Sequence, residues 1–176
     1  MELTRRRSLS LLLLAGMLAA GAAAPGAALA EDELFLKLDI LGGSTDEHHI
    51  GEIVLLSYSQ SFTRPASAGA NCGAVTVTKQ IDRSSPVLIG AVLTAKNYAK
   101  AVITFRRPGN PPFEYYTVTL KNVVIQAITQ SDHSPDTIVE QVTMIGSAFK
   151  FTYFLPTATG GISTPVSFAW DCVTNK

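Results

Sequence analysis

The sequence predicts a mainly β protein: a small antiparallel β-barrel of two sheets with one flanking α-helix, preceded by an export signal. Most of the chain after residue 30 alternates apolar and polar side chains with a period of two, which is typical of half-buried strands. Turn-forming residues separate about seven such strands at intervals of roughly 8–15 residues. One segment with helical spacing interrupts them. This pattern favours a single barrel or sandwich.

The first 30 residues have the three parts of a bacterial signal peptide. Arg6 and Arg7 lie in the basic region, and leucines and alanines form the apolar region. Ala28 and Ala30 form a small-x-small cleavage box, so we expect Glu31 to become the mature N-terminus. A membrane anchor is disfavoured because the strongly apolar stretch is shorter than the roughly 20 residues that span a bilayer. Arg6-Arg7 also fits a twin-arginine signal loosely, so both export routes stay open.

Residues 31–176 have the length of one ordinary domain. The chain balances 14 basic against 14 acidic residues, and removal of the leader leaves a slight acidic excess. Affinity for a phosphate backbone or an anionic membrane requires clustered lysine and arginine. The composition therefore excludes nucleic acid as a partner and stable membrane insertion after cleavage.

The first half of the domain supplies three strands and the helix. Strands are predicted at 34–40, 53–62 and 75–78, with a turn at 42–46 and an extended loop at 63–73. Ser84-Ser85-Pro86 places a hydroxyl and a proline where helices begin. The helix is expected to end at Lys96-Asn97, and its apolar stripe consists of Leu88, Ile89, Val92 and Leu93.

The second half is predicted to contain only strands. They cover 102–107, 115–128, 138–155 and 166–172. The polar pair Lys121-Asn122 interrupts the second of them and indicates a bulge or a change of direction. Val166, Phe168, Trp170 and Cys172 are expected to share one face of the last strand.

Cys72 and Cys172 lie in the exported part, where an isolated pair is a disulfide candidate. Two buried, unpaired thiols are the alternative. Sequence separation does not decide between them, because a disulfide needs the two Cα atoms within about 7 Å.

The sequence contains no motif for catalysis, cofactor binding or metal binding. The densest polar cluster is Asp46-Glu47-His48-His49, followed by Glu52. A metal site needs three or four converging ligands, whereas adjacent histidines in a turn diverge. We therefore predict a solvated turn there and an exposed loop around His133. No catalytic residue, cofactor or metal ligand is expected.

The same segments resemble the haemolysin-coregulated protein (Hcp) family, the tube subunit of the type VI secretion system. The likeness covers nearly all of 34–176 and includes IDRSSP at the start of the helix. The matching segments, in chain order, are 35–40, 42–47, 51–53, 75–79, 81–86, 102–106, 140–143 and 165–171.

The resemblance implies a β-barrel of two sheets that assembles into stacked hexameric rings, with cargo carried in the lumen and no catalytic residues. A loop after the second strand, here 59–73, is implied to bind the next ring. The residues themselves also indicate an interface: Phe35 and Phe154 are expected to face away from the core, which adds apolar surface. The strand from Phe149 to Leu155 carries further aromatic side chains and adds to this apolar surface.

One feature departs from the family. Its tube subunits assemble in the cytoplasm and carry no signal peptide. Either the fold serves outside the cytoplasm, or the start is misassigned; a start at Met17 would still leave an alanine-rich leader, which favours the first explanation. Two functions remain: a self-assembling Hcp-like protein, exported to the periplasm or secreted, and a monomeric exported barrel that binds a small ligand or an envelope protein.

Overall fold

The computed structural model describes residues 31–132, 138–156 and 163–176. The predicted signal peptide, with Arg6, Arg7, Ala28 and Ala30, lies outside the described residues, as does His133. Nine strands and one helix follow in this order: β1 Glu33–Lys37, β2 Ile53–Leu55, β3 Ser57–Thr63, β4 Asn71–Gln80, α1 Ser85–Leu93, β5 Asn97–Arg107, β6 Phe113–Asp132, β7 Ile138–Ile145, β8 Ala148–Tyr153 and β9 Val166–Asp171.

The strands form a closed antiparallel barrel. They pair in the order β2-β1-β5-β6-β7-β4-β3. Leu56 alone separates β2 from β3, so one run of chain forms both ends of that order. The Leu56 N–H donates to the carbonyl oxygen of Thr78 in β4 at 2.8 Å. The two ends of the strand order therefore meet, so that the sheet closes on itself, and the predicted barrel is confirmed.

Strand β6 belongs to both sheets of the barrel. Its first half pairs with β8 between Tyr116 and Lys121, and its second half pairs with β7 between Val124 and Asp132. The change of partner falls at Asn122, whose φ is +47°. The predicted break at Lys121-Asn122 is thus the corner between the two sheets. Strand β9 extends the first sheet by pairing with β8.

Helix α1 packs against β6 and begins where the serines predicted. Ser84 occupies the N-cap position, but its hydroxyl donates to Asp82 instead of capping the helix. The predicted end was about three residues late, because Ala95 has a φ of +49° that stops the helix. The predicted stripe was wrong at Leu93, which is 80% exposed, since the short helix buries only Ser85, Leu88 and Ala91.

The loop predicted at 63–73 is confirmed for residues 64–70, whereas its two ends belong to strands β3 and β4. Strands β3 and β4 pair as far as Thr63 and Asn71. Only residues 64–70 connect them. Asn71, Cys72 and Gly73, which the prediction assigned to the loop, instead begin β4, where Asn71 and Cys72 pair with Thr63 and Phe62 of β3.

Candidate assembly surfaces

A fully buried ionic network fixes the start of α1 to the barrel. Lys79 on β4 and Glu140 on β7 are each at most 1% exposed. Lys79 Nζ donates to a Glu140 carboxylate oxygen at 2.8 Å and to the Ser85 hydroxyl at 3.0 Å. The same ammonium lies 2.8 Å from Asp82 Oδ1, and Gln130 donates to the second Glu140 oxygen at 2.7 Å. Every polar group of the pair is satisfied, as burial requires.

Both carboxylates of this network are held in the charged form. Burial raises the pKa of Glu140, but hydrogen bonds from Lys79, Ser85 and Gln130 outweigh it, and the net shift is downward. Burial also raises the pKa of Asp82, but hydrogen bonds from Lys79 and Ser84 outweigh that effect, and the net shift is again downward. No acid among these groups is poised to give up a proton near neutral pH. The network is therefore structural.

A second polar cluster surrounds Arg106 in β5. Its guanidinium donates to both oxygens of Asp46, one at 2.9 Å, and its Nε donates to Glu33 at 2.7 Å. The guanidinium also lies over the ring of Phe35, 4.8 Å from the ring centroid. Hydrogen bonds from Arg106 hold the pKa of Asp46 well below its ordinary value.

Phe35 and His49 are buried, although the sequence predicted both to be exposed. The His49 ring stacks on Phe35 with centroids 4.0 Å apart, and both side chains are at most 4% exposed. His49 Nδ1 is hydrogen-bonded to Glu52 at 2.9 Å, and its Nε2 lies 3.4 Å from Glu114. The solvated-turn prediction holds for His48 and is wrong for His49. Phe35 offers no apolar surface to a partner, because His49 and Arg106 cover it.

The Arg106 cluster is nevertheless not arranged as a metal site. Within the described ranges, no group of three or more histidine, cysteine, aspartate or glutamate side chains is placed to hold a metal ion. The Asp46 carboxylate is bonded to Arg106, which leaves it unavailable as a ligand. One sequence signal could have predicted the cluster: Arg106 interrupts an apolar strand, and a buried arginine requires acidic partners.

An apolar seam separates the β3–β4 hairpin from the β8–β9 edge. It is lined chiefly by Phe62, Tyr116, Phe151, Phe168 and Trp170, and encloses about 420 Å³. Phe62 packs edge-on against Phe151 with centroids 5.4 Å apart, yet it is 52% exposed. Arg64 is the single charged residue among the described lining residues. Phe168 is 60% exposed although it shares a face with Trp170, as predicted.

The disulfide predicted as one of two alternatives is present. Cys72, in β4, is bonded to Cys172, which directly follows β9, with a Cα–Cα distance of 6.1 Å. Asn175 adds two hydrogen bonds at the same end: it accepts from the Ala70 N–H at 2.9 Å and donates to the Ala70 carbonyl oxygen at 3.2 Å. The C-terminal segment is therefore fastened to the tip of the hairpin.

A second group of exposed apolar residues, the β2 patch, lies on β2 and in the segments that flank it. It consists of Leu41, Ile50, Val54 and Leu56, whose exposure ranges from 46% to 75%. Strand β2 begins the path β2-β1-β5-β6-β8-β9, and β9 ends it. The β2 patch and the seam share no lining residue, although β2 continues through Leu56 into β3, which supplies Phe62 to the seam.

These features define a class of protein. The described residues form a disulfide-tied barrel whose buried charges are committed to structural pairs and which exposes two different apolar surfaces, the seam and the β2 patch. That is the arrangement of a structural protein that associates with other chains. No helix in the described part of the chain is long and apolar enough to cross a membrane.

Comparison with known proteins gives the family. Residues 35–153 match the model described as "Type VI secretion system effector, Hcp". The chain is 31% identical over 152 residues to protein hcp1 of Pseudomonas aeruginosa, covering 79% of this chain and 94% of that protein. The chain belongs to the Hcp family. It is therefore a structural component of the type VI secretion system, as the sequence resemblance predicted.

Solved structures agree in fold. Hcp1 from Salmonella typhimurium superposes with a TM-score of 0.72 at 25% identity, covering 82% of this chain and 97% of that one. A structure described as a type six secretion system protein gives a TM-score of 0.76 at 19% identity, covering 83% and 99%. The described barrel therefore extends over almost the whole length of these relatives.

Proposed function

We propose that the mature domain, residues 31–176, assembles into closed hexameric rings that stack into a tube, and that it does so after export. The observation that carries the proposal is the presence of two different apolar surfaces, the seam and the β2 patch, which share no lining residue. A cyclic ring needs a heterologous contact, in which one surface of a subunit meets a different surface of the next. Apolar exposure of this extent in a folded domain marks an interface.

The β3–β4 hairpin supports the stacking part of the proposal. It consists of paired strands joined by loop 64–70, and the disulfide and Asn175 both hold its tip. A rigid hairpin can dock on a neighbouring ring without the cost of ordering a flexible loop. This hairpin corresponds to the loop that the family resemblance implies between rings.

Export is supported by the leader and by the disulfide. The small-x-small box predicts cleavage between Ala30 and Glu31, and the Cys72–Cys172 bond is the kind that persists in an oxidising compartment. We therefore propose a periplasmic or secreted location. Replacing Arg6 and Arg7 by lysine should block export only if the twin-arginine route is used, which an export assay on the full precursor measures.

The oligomeric state tests the proposed ring. Light scattering coupled to size-exclusion chromatography on residues 31–176, over a range of concentrations, should give a species of six subunits that dissociates on dilution. Phe168→Asp places a charge in the seam and should shift that species to the monomer. Leu93→Asp is the matched control, because Leu93 is 80% exposed on α1, away from both surfaces, and it should leave the mass unchanged.

A monomer at high micromolar concentration would contradict the ring and favour the second candidate. That candidate is a monomeric exported barrel that binds a small ligand. The seam supports it, because an apolar cavity with one charged group at its edge is the usual form of a small-molecule site. Both candidates make the seam the functional surface, and the measured mass separates them.

A further inference from the structure

The disulfide joins the two elements that form opposite walls of the seam. Cys72 belongs to the hairpin and itself lines the seam, and Cys172 directly follows β9, which supplies Phe168 and Trp170. In the described part of the chain, β9 pairs with β8, and no ladder joins it to β3 or β4. The distance between the walls is therefore not fixed by backbone pairing.

Few other contacts could hold the walls together. The Asn175 amide pair with Ala70 is exposed, and exposed hydrogen bonds exchange readily with water. Phe62 contacts Phe149 and Phe151 across the seam but is itself half exposed. The covalent bond is thus the principal constraint on the shape of the seam.

We infer that formation of the Cys72–Cys172 disulfide switches the subunit into its assembly-competent form, so that rings form only after export; this inference rests on the proposed ring. In the reduced precursor, the described residues join the hairpin to the β9 edge only through the weak contacts above. In the oxidised protein, the seam has the fixed shape that a neighbouring subunit requires. The leader and the disulfide would then act in sequence and prevent assembly before translocation.

The oxidation is an ordinary thiol–disulfide exchange with a small-molecule or protein disulfide as oxidant. The thiolate of one cysteine attacks a sulfur of that oxidant and forms a mixed disulfide. The second cysteine, as thiolate, attacks the protein sulfur of the mixed disulfide and forms the Cys72–Cys172 bond. Each attack releases one sulfur of the oxidant as a thiolate, so the oxidant ends as two thiol groups, having gained the two electrons and the two protons that the cysteines lost.

The test compares oxidised residues 31–176 with the same protein reduced by a trialkylphosphine and with the double variant Cys72→Ser/Cys172→Ser. We expect the subunit contact to weaken about tenfold to a hundredfold in both, because several side chains must then be ordered on binding. Far-UV circular dichroism should stay close to that of the oxidised protein, since the barrel closes without the bond. Emission from Trp170, the one tryptophan of the chain, should shift to longer wavelength as the seam loosens.

Asn175→Ala is the control variant. It removes the second tie at the same end but keeps the disulfide, so it should assemble when oxidised and dissociate when reduced. Rings of equal stability in the oxidised protein and the serine double variant would overturn the switch and leave the proposed ring intact. A monomeric oxidised protein would instead overturn the ring itself. A double variant without barrel structure would also overturn the switch, because the bond would then serve folding and not assembly.

Discussion

Replacing Lys79 by methionine should destabilise the domain more than any exposed substitution. The methionine fills the same space but leaves the Glu140 carboxylate fully buried without its cation, which is 2.8 Å away in the protein. Breaking a buried pair by removing one partner costs about 3–5 kcal/mol. With a urea m-value of about 2 kcal/mol/M for a domain of this size, the unfolding midpoint should fall by roughly 1.5–2.5 M.

The pH dependence makes this prediction specific. The pKa of Glu140 is lowered in the folded protein, so its contribution to stability is present above the ordinary glutamate pKa of 4.5 and is lost as the pH falls through the folded value. In Lys79→Met, burial without the ammonium raises the pKa of Glu140 instead. The variant should therefore lose less stability, relative to the parent, at pH 5 than at pH 7.

Urea unfolding of the oxidised domain at both pH values measures the effect. Lys37→Met is the matched control, because Lys37 is exposed and its nearest carboxylate, on Glu52, is 3.6 Å away; it should cost at most about 1 kcal/mol. The double variant Lys79→Met/Glu140→Leu should recover part of the loss, since no buried charge remains unpaired. A cost for Lys79→Met no larger than that of the control, or a cost that does not change with pH, would refute the reasoning.

Three further predictions concern the Arg106 cluster, the barrel corner and the leader. Arg106→Gln should cost about 2–3 kcal/mol by leaving Asp46 unpaired, and NMR titration should show the pKa of Asp46 rising towards 3.8; an unmoved pKa would contradict the assigned pairing. Asn122→Val should cost about 1–2 kcal/mol in thermal unfolding, because a β-branched residue resists a φ of +47°, whereas Asn122→Gly should be close to neutral. N-terminal sequencing of the exported protein should begin at Glu31, and an intact Met1 in the native host would disprove the leader.

The strands were predictable from sequence because their side chains alternate between the core and solvent. The corner at Lys121-Asn122 was also visible, since two polar residues interrupt an apolar strand there. The disulfide could not be decided, because its cysteines are 100 residues apart and only the closed barrel brings them together. Sequence patterns record which face a residue occupies and not which distant strand it meets.

The burial of Phe35 and His49 shows the limit of that alternation. Phe35 does lie on the outer face of β1, as its position predicts. It is nevertheless buried, because His49, from the turn before β2, stacks on it, and Arg106, from β5, lies over its ring. A polar cluster folded over a strand hides an apolar residue that the period-two pattern assigns to the surface.

The closure of the barrel through Leu56 has a consequence for how the chain acquires its structure. Strand β1 cannot complete its pairing until β5 is available, since Glu33 pairs with Arg106 about 70 residues later in the chain. The hairpins β3–β4 and β5–β6, in contrast, join neighbouring segments. The pairing of β1 with β5 is thus a contact between distant parts of the chain, and such non-local pairings form slowly. A chain that crosses a membrane unfolded, with its N-terminus leading, would therefore emerge with one edge of β1 unpaired, even where β1 pairs with β2, and that edge would need protection from aggregation until β5 follows.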